Sequence, residues 1–236
     1  MTAVLSDEPF ATEDIARRAV IDACLAMNAC GINQGKAGNA SVRWDRGGAQ
    51  GFLVTPTALA YERTAVDDIV WVSIERAGAG DAPPRIIDGT RAPSSEWRIH
   101  RDVYAVCPAA GALVHAHSPF ATSLACLPRV QLQGIPAFHY MVGVAGGADI
   151  ACAPYATYGT RELSDNVLAA LQGRRACLMA NHGMLAYGAS LVGALALAIE
   201  VETLARMYSQ ALQLGEPVIL ENEEMARVLE KFAARG

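Results

Sequence analysis

The chain is predicted to be a three-layer α/β protein whose central sheet is largely antiparallel or mixed. Three observations carry this prediction. Short apolar runs of strand length recur, among them Phe52-Leu53-Val54, Ile69-Val70-Trp71-Val72 and Cys177-Leu178-Met179. Longer stretches with apolar residues at helical spacing lie between them, opened by serine or threonine and several closed by glycine. The two kinds of segment mix without the regular β-α-β repeat of a parallel sheet.

With 236 residues, 52% of them hydrophobic and 18% charged, the chain has the material for a substantial core. It reads as a single domain over residues 1–236 with residues 1–11 a flexible tail. Asp7 and Glu8 stand where a secretory signal would need a basic start, and no run reaches the ~18 apolar residues of a membrane span. The expectation is a soluble, cytoplasmic protein without a membrane partner. A net charge of −5 and the lack of any basic block point away from nucleic acid. Six cysteines without a C-x-x-C pair suit neither a disulfide framework nor a thiolate zinc site. Lysine occurs only at Lys36 and Lys231, which leaves two candidates for any mechanism that needs an activated amine.

In chain order, Thr12 caps a helix running to about Cys30, with Glu13 and Asp14 in its first turn and Gly31 ending it. The glycine-punctuated loop over residues 31–41 resembles a nucleotide-binding loop only superficially. The spacing before Lys36 is one residue short, and Ala37 stands where a serine or threonine belongs. Its glycines do let backbone N–H groups approach an anion, with Asn39 and Ser41 as side-chain partners. A strand at residues 42–44, a hairpin turn at 45–50 and strands at 51–55 and 69–72 follow, and residues 76–93 read as a surface excursion. Ser94 or Ser95 caps the next helix, which puts Glu96 in its first turn. A strand over residues 111–114 leads into His115-Ala116-His117, and Ser118-Pro119 opens a helix to Leu127. Residues 130–137 read as extended chain and 143–147 as a loop. Thr160 caps a helix ending before Gly173, and strands at 175–179 and 184–187 flank a tight turn at Asn181-His182-Gly183. Helices at residues 191–214 and 223–234, capped by Ser190 and Asn222, finish the chain.

The chemistry concentrates at His115-Ala116-His117. Histidines at i and i+2 of an extended run point to the same side of a sheet and make a pair of nitrogen ligands. An isolated pair of this kind is as readily exposed polar surface, so the rest of the chain must decide. A catalytic zinc takes three protein ligands and keeps a position open. Without a cysteine motif, imidazole and carboxylate donors favour zinc or another divalent transition ion. Spacing leaves the third histidine open among His182 in its glycine-flanked turn, His139 beside Tyr140, and His100. The last lies four residues after Glu96 on the same helix face and makes a rival ligand pair with it. The helix start at Ser94-Ser95-Glu96 also offers free N–H groups to an anion.

Seven motifs then occur in order: Asn33-Gln-Gly-Lys-Ala-Gly-Asn39, Thr55-Pro-Thr57, Pro93-Ser-Ser-Glu-Trp97, His115-Ala-His117, His139-Tyr-Met141, Cys152-Ala-Pro-Tyr-Ala-Thr157 and His182-Gly183. By these the chain resembles the class II aldolase/adducin family of metal-dependent sugar-phosphate aldolases over residues 16–232. The resemblance implies an α/β/α sandwich with a largely antiparallel sheet, assembled as a homotetramer with active sites between subunits. It implies one Zn2+ held by His115, His117 and His182, with Glu96 as resting fourth ligand and catalytic acid/base, and Tyr140 as a further catalytic residue. Gly38, Asn39, Thr57, Ser94 and Ser95 would bind the substrate phosphate. The implied reaction is retro-aldol cleavage of a ketose 1-phosphate, either L-fuculose 1-phosphate or a 5-deoxy or 5-methylthio pentulose 1-phosphate, to dihydroxyacetone phosphate and a short aldehyde.

Three positions depart from the fuculose-cleaving members. Ala58 replaces a glycine of the phosphate loop, Tyr158 replaces a phenylalanine of the aldehyde pocket, and the chain stops at Gly236 where those members carry a tail tyrosine. The loops at residues 76–92 and 128–133 also look longer. A ribulose-5-phosphate 4-epimerase of the same family usually carries aspartate after the paired serines, so Glu96 disfavours that reading. A noncatalytic adducin-like interaction domain would be expected to have lost the ligands.

Overall fold

A computed structural model of the chain describes residues 8–75 and 87–234. Helix α1 (Glu13–Ala29) begins where Thr12 accepts a hydrogen bond from the Ile15 N–H, and it ends before Gly31 at φ +78°. Strands β1 (Asn39–Arg43) and β2 (Gly51–Val54) form the expected hairpin, with β3 (Val70–Ser73) antiparallel beyond them. β1 starts earlier than expected, because Asn39 and Ala40 already pair with His115 and Val114. Of the expected surface excursion, residues 76–86 lie outside the described residues, and Ile87–Asp88 form a short edge strand, β4, on β3. The expected tail also falls largely outside them, over residues 1–7.

Helix α2 (Trp97–Val106) leads to β5 (Ala112–Ala116), followed by α3 (Pro119–Ala125), α4 (Pro128–Gln133), β6 (Cys152–Ala153), α5 (Arg161–Ala170), β7 (Ala176–Met179), β8 (Gly183–Gly188), α6 (Leu191–Leu214) and α7 (Asn222–Ala233). The strand order is β4-β3-β2-β1-β5-β8-β7-β6, antiparallel throughout except for β6 on β7. Alternation along the strands divides the core in two. Ala112, Val114, Leu178, Met184 and Ala186 pack under α1, α3 and α6, whereas Phe52, Val54, Leu113, Met179 and Leu185 pack under α2 and α5. The result is the expected α/β/α layering.

Several local expectations are corrected. Residues 130–133 are helical, not extended: Pro128 opens α4 at its first turn, and Gly134 at φ +68° ends it; the extended reading holds only beyond it, where Ile135 bridges Ile150. Residues 143–147 are not simply a loop, since Tyr140–Ala145 form a 3-10 helix capped by His139, whose Nδ1 accepts from the Met141 N–H. Asn222 is the first helical residue of α7 and Glu221 is its cap. Ser118 occupies the cap of α3, but its hydroxyl makes no capping bond. The Glu202 carboxylate on α6 instead accepts from the Phe120 and Ala121 N–H groups, at 2.8 Å each. Among the described residues, no helix is long and apolar enough to cross a membrane.

Candidate metal centre

β5 carries His115 on the α2 face, in register with Asn39 of β1 on one side and Leu185 of β8 on the other. His117 follows two residues later, just past the strand end, and faces the same way. The third member comes from the turn between β7 and β8. Asn181, at φ +54°, gives that turn its left-handed bend, a conformation asparagine tolerates better than most residues. Because β5 and β8 are antiparallel with Ala116 opposite Met184, the turn lies beside the end of β5 and His182 meets the pair.

The three imidazoles form a near-threefold propeller, with ring centroids 4.9, 5.0 and 4.9 Å apart and interplanar angles of 73°, 73° and 72°. Glu96 closes the group. Its Oε2 lies 3.0 Å from His115 Nε2 and its Oε1 3.3 Å from His182 Nε2. Ligand atoms of Glu96, His115, His117 and His182 all fall within 4.8 Å of one another. His115 Nδ1 donates to the Met184 carbonyl at 2.8 Å, which leaves Nε2 facing the centre.

Glu96 reaches this point through a correction to the expected helix start. It is neither behind a serine cap nor in the first turn; it is itself the N-cap of α2, at φ −102° and ψ 13°. Ser94 Oγ accepts from the Glu96 N–H at 3.3 Å, which keeps Glu96 off the helical path and turns its carboxylate toward the histidines.

The electrostatics suit a cation. Burial pushes the Glu96 carboxyl up, but His115, His182 and the Asn39 amide together hold it well below the usual carboxylate range. Burial and the neighbouring imidazoles push His117 and His182 down to about 4, so their nitrogens are neutral and free to ligate near neutral pH. For His115 burial pulls down, yet Glu96 beside it wins and raises it. Glu96 Oε1 is buried without a hydrogen bond. Three converging nitrogens, a buried carboxylate and an orphaned oxygen fit a divalent metal ion.

His139 and His100 do not join this group. His139 caps the 3-10 helix, and His100 points to Asn39 and Ser41. Tyr140 is also apart within this chain: it is half exposed and lines a groove with Phe138, Leu220 and Phe232 of the α7 side.

The three loops expected to hold phosphate do come together. Thr55 N–H donates to the Ala40 carbonyl, Ser94 N–H to Thr55, and Thr57 N–H to Ala92, stitching them side by side next to Glu96. Gly38 presses on the histidine strand so closely that a Cβ there would collide with the His115 carbonyl. Ser95 and Thr57 are exposed, and Ser94 is buried. The Asn39 side chain is turned inward, donating to Glu96 Oε2 at 3.0 Å. Beside the metal group a cleft of about 270 Å3 is lined by Ser95, Glu96, His117, Tyr155, Tyr158 and His182. Tyr155 in this wall belongs to the Cys152–Thr157 motif, but the sequence alone assigns it no role; only its place in the cleft does.

Ala58 sits in the left-handed region that favours glycine, at φ +57°. A left-handed alanine costs roughly 1–2 kcal/mol, and glycine returns part of that as unfolded-chain entropy, about 0.4–1 kcal/mol. Ala58→Gly is therefore expected to stabilise the protein by about 0.5–1 kcal/mol, read as a higher urea midpoint. A lower midpoint would show that residue 58 is not held left-handed.

The model of the class II aldolase and adducin N-terminal domain matches residues 18–209. The chain belongs to this family. It is 49% identical to the 5-methylthioribulose-1-phosphate/5-deoxyribulose-1-phosphate aldolase of Rhodospirillum rubrum over 220 residues, covering 93% of this chain and 92% of the relative. It is 45% identical to the L-fuculose phosphate aldolase of Escherichia coli K12 over 220 residues, covering 93% and 94%. Among solved structures, an L-fuculose 1-phosphate aldolase superposes with a TM-score of 0.82 at 38% identity, over 94% of this chain and 98% of that one. The family assignment and the sheet order agree with the fold expected from the motifs.

Proposed function

We propose that this class II aldolase uses zinc to cleave L-fuculose 1-phosphate or a related 5-deoxy or 5-methylthio pentulose 1-phosphate, yielding dihydroxyacetone phosphate and a short aldehyde. The observation that carries this reading is the His115, His117, His182 and Glu96 cluster, set between the stitched loops and the open cleft. Three imidazoles and a carboxylate make a donor set typical of catalytic zinc. A cation held there would supply Lewis acidity for the negative charge left on the ketose half when its C3–C4 bond breaks.

The chain's own groups do the rest. Glu96 takes the proton of the C4 hydroxyl, the C4 oxygen becomes the aldehyde carbonyl, and the bonding pair stays with C3. Glu96 then returns a proton to C3, completing dihydroxyacetone phosphate. Gly38, Asn39, Thr57, Ser94 and Ser95 form the phosphate site; because the Thr57 and Ser94 N–H groups and the Asn39 amide are bonded within the chain, the Thr57, Ser94 and Ser95 hydroxyls are the neutral donors it offers, with no basic cluster called on. No lysine has to form a Schiff base, and Lys36 is occupied in donating to the Ala58 carbonyl at 2.9 Å. Tyr155 and Tyr158 line the cleft where the aldehyde half would leave.

Tyr140 enters this mechanism from a neighbouring subunit of a homotetramer. Support comes from exposed apolar side chains that a partner would cover: Tyr140 is half exposed, and Leu132, Leu214 and Val218 are strongly exposed. The same reading assigns the protein to the cytoplasm, consistent with six free cysteines.

A panel of fuculose, rhamnulose, 5-deoxyribulose and 5-methylthioribulose 1-phosphates, scored for dihydroxyacetone phosphate, tests the reading. At least one should be cleaved, with activity lost to EDTA and restored by zinc. Inertness of the zinc-loaded protein toward all four, or turnover indifferent to metal removal, would reject it.

A further inference from the structure

Behind Glu96, on the side away from the cleft, lies a line of buried polar side chains that the proposed mechanism does not use. Asn39 and Ser41 stand two residues apart on β1 and face α2. Glu96, His100 and Tyr104 stand four apart at the cap and along α2. The two repeats match, since two strand residues span ~6.7 Å and four helical residues ~6 Å. The side chains therefore interdigitate. Tyr104 OH lies 2.8 Å from Ser41 Oγ, Ser41 Oγ 2.6 Å from His100 Nδ1, His100 Nε2 2.5 Å from Asn39 Oδ1, and Asn39 Nδ2 3.0 Å from Glu96 Oε2. His100 and Ser41 are fully buried, and Tyr104 and Asn39 nearly so.

We propose that His100 is a positioning residue for Glu96, acting through Asn39 as the centre of a one-way hydrogen-bond chain that begins at Tyr104 and Ser41. The inference rests on the acid/base role proposed for Glu96.

The direction follows from what each group can donate. An ionised carboxylate only accepts, so Asn39 must turn its NH2 to Glu96 and its carbonyl oxygen to His100. That oxygen only accepts, so the His100 proton sits on Nε2. Nδ1 is then bare and accepts from the Ser41 hydroxyl, and Ser41 Oγ accepts from Tyr104. With a neutral ring this is the arrangement that satisfies every member. It requires His100 to be neutral, and burial, with His115 adding to it, pushes its pKa down to about 3.

Each link removes a freedom from the next. Without an N–H at His100, the Asn39 carbonyl oxygen is left buried and unpaired, and the amide is held at its Glu96 end alone. An amide held at one end only fixes the carboxylate less firmly on the line between His115 and His182. Phe52 stacks on the His100 ring at 6.4 Å and an interplanar angle of 12°, so a phenylalanine at 100 retains the packing and loses only the polar links.

The test compares His100→Phe with His100→Gln, whose amide can donate to Asn39 and accept from Ser41. In zinc-loaded protein, His100→Phe is expected to lower kcat by about 10- to 100-fold and leave KM within about threefold, while His100→Gln recovers most of kcat. In metal-free wild type, 15N NMR of the ring should show the neutral Nε2–H form. If His100→Phe does not fold, Ser41→Ala takes its place, with an expected kcat loss of about tenfold. Unchanged kcat in the variant that folds, equal impairment of His100→Phe and His100→Gln, or an Nδ1–H ring would each overturn the proposal. Glu96→Gln assayed alongside separates the two readings. If Glu96→Gln turns over, the acid/base role has failed; if it is inactive and His100→Phe is fully active, only the relay has.

Discussion

Glu96→Gln is expected to retain zinc and to lose about 10²- to 10⁴-fold in kcat. Glutamine matches the shape of glutamate and still offers a carbonyl oxygen to the Asn39 N–H, now 3.0 Å from Glu96 Oε2. The three imidazoles that converge on the centre are untouched. What disappears is a group able to take a proton from the C4 hydroxyl and hand one to C3. The measurement pairs zinc per chain with dihydroxyacetone phosphate released in a single turnover. A kcat within tenfold of wild type, with zinc bound, would remove Glu96 from proton transfer and leave it a ligand only.

The second large effect is expected from His115→Ala, which should abolish both zinc binding and turnover in a protein that still folds. His115 is 1% exposed and bonds the Met184 carbonyl across β8, so its loss leaves that carbonyl unpaired at a cost of about 1–3 kcal/mol. That is tolerable in a sheet of eight strands. Zinc stoichiometry near zero with an unchanged circular dichroism spectrum is the expected result; an active, metal-free variant would defeat the metal assignment. Wild-type metal affinity should also depend on pH with a definite sign. Burial lowers the His115 pKa, but Glu96 raises it more, so it ends above the ordinary histidine value. A proton on His115 competes with the metal. Affinity is therefore expected to fall by about tenfold per pH unit as pH drops below that raised pKa, and to level off above it.

Much of the centre was legible along the chain because its parts obey local rules. The i, i+2 spacing of His115 and His117 is a statement about strand geometry, and β5 turns both rings to one face. Ser94-Ser95-Glu96 announced a helix start, although the serine used its oxygen one step early and made Glu96 the cap. Over residues 130–133, β-branched and apolar residues beside Pro128 suit a strand by propensity, but the proline at the first turn and the glycine at 134 decide for α4. His100 illustrates the opposite failure. Its four-residue offset from Glu96 suggested a shared metal, but α2 is packed on β1, so that offset instead matches the pleat of Asn39 and Ser41.

By itself the sequence determined the mixed α/β class, the paired histidines on a common face, the acid at a helix start, the glycine loops, and, through ordered motifs, the aldolase family. Spacing left the third histidine open, the family motifs named His182, and the tertiary structure brings it to the pair; what stands behind Glu96 only the tertiary structure decided. The reason is physical. Periodicities of two and 3.6 act within one segment, whereas His115 and His182 meet because β8 inserts beside β5, and His100 meets Asn39 because α2 packs over this half of the sheet. Those neighbours are chosen by the burial of whole faces, and no spacing along the chain records them.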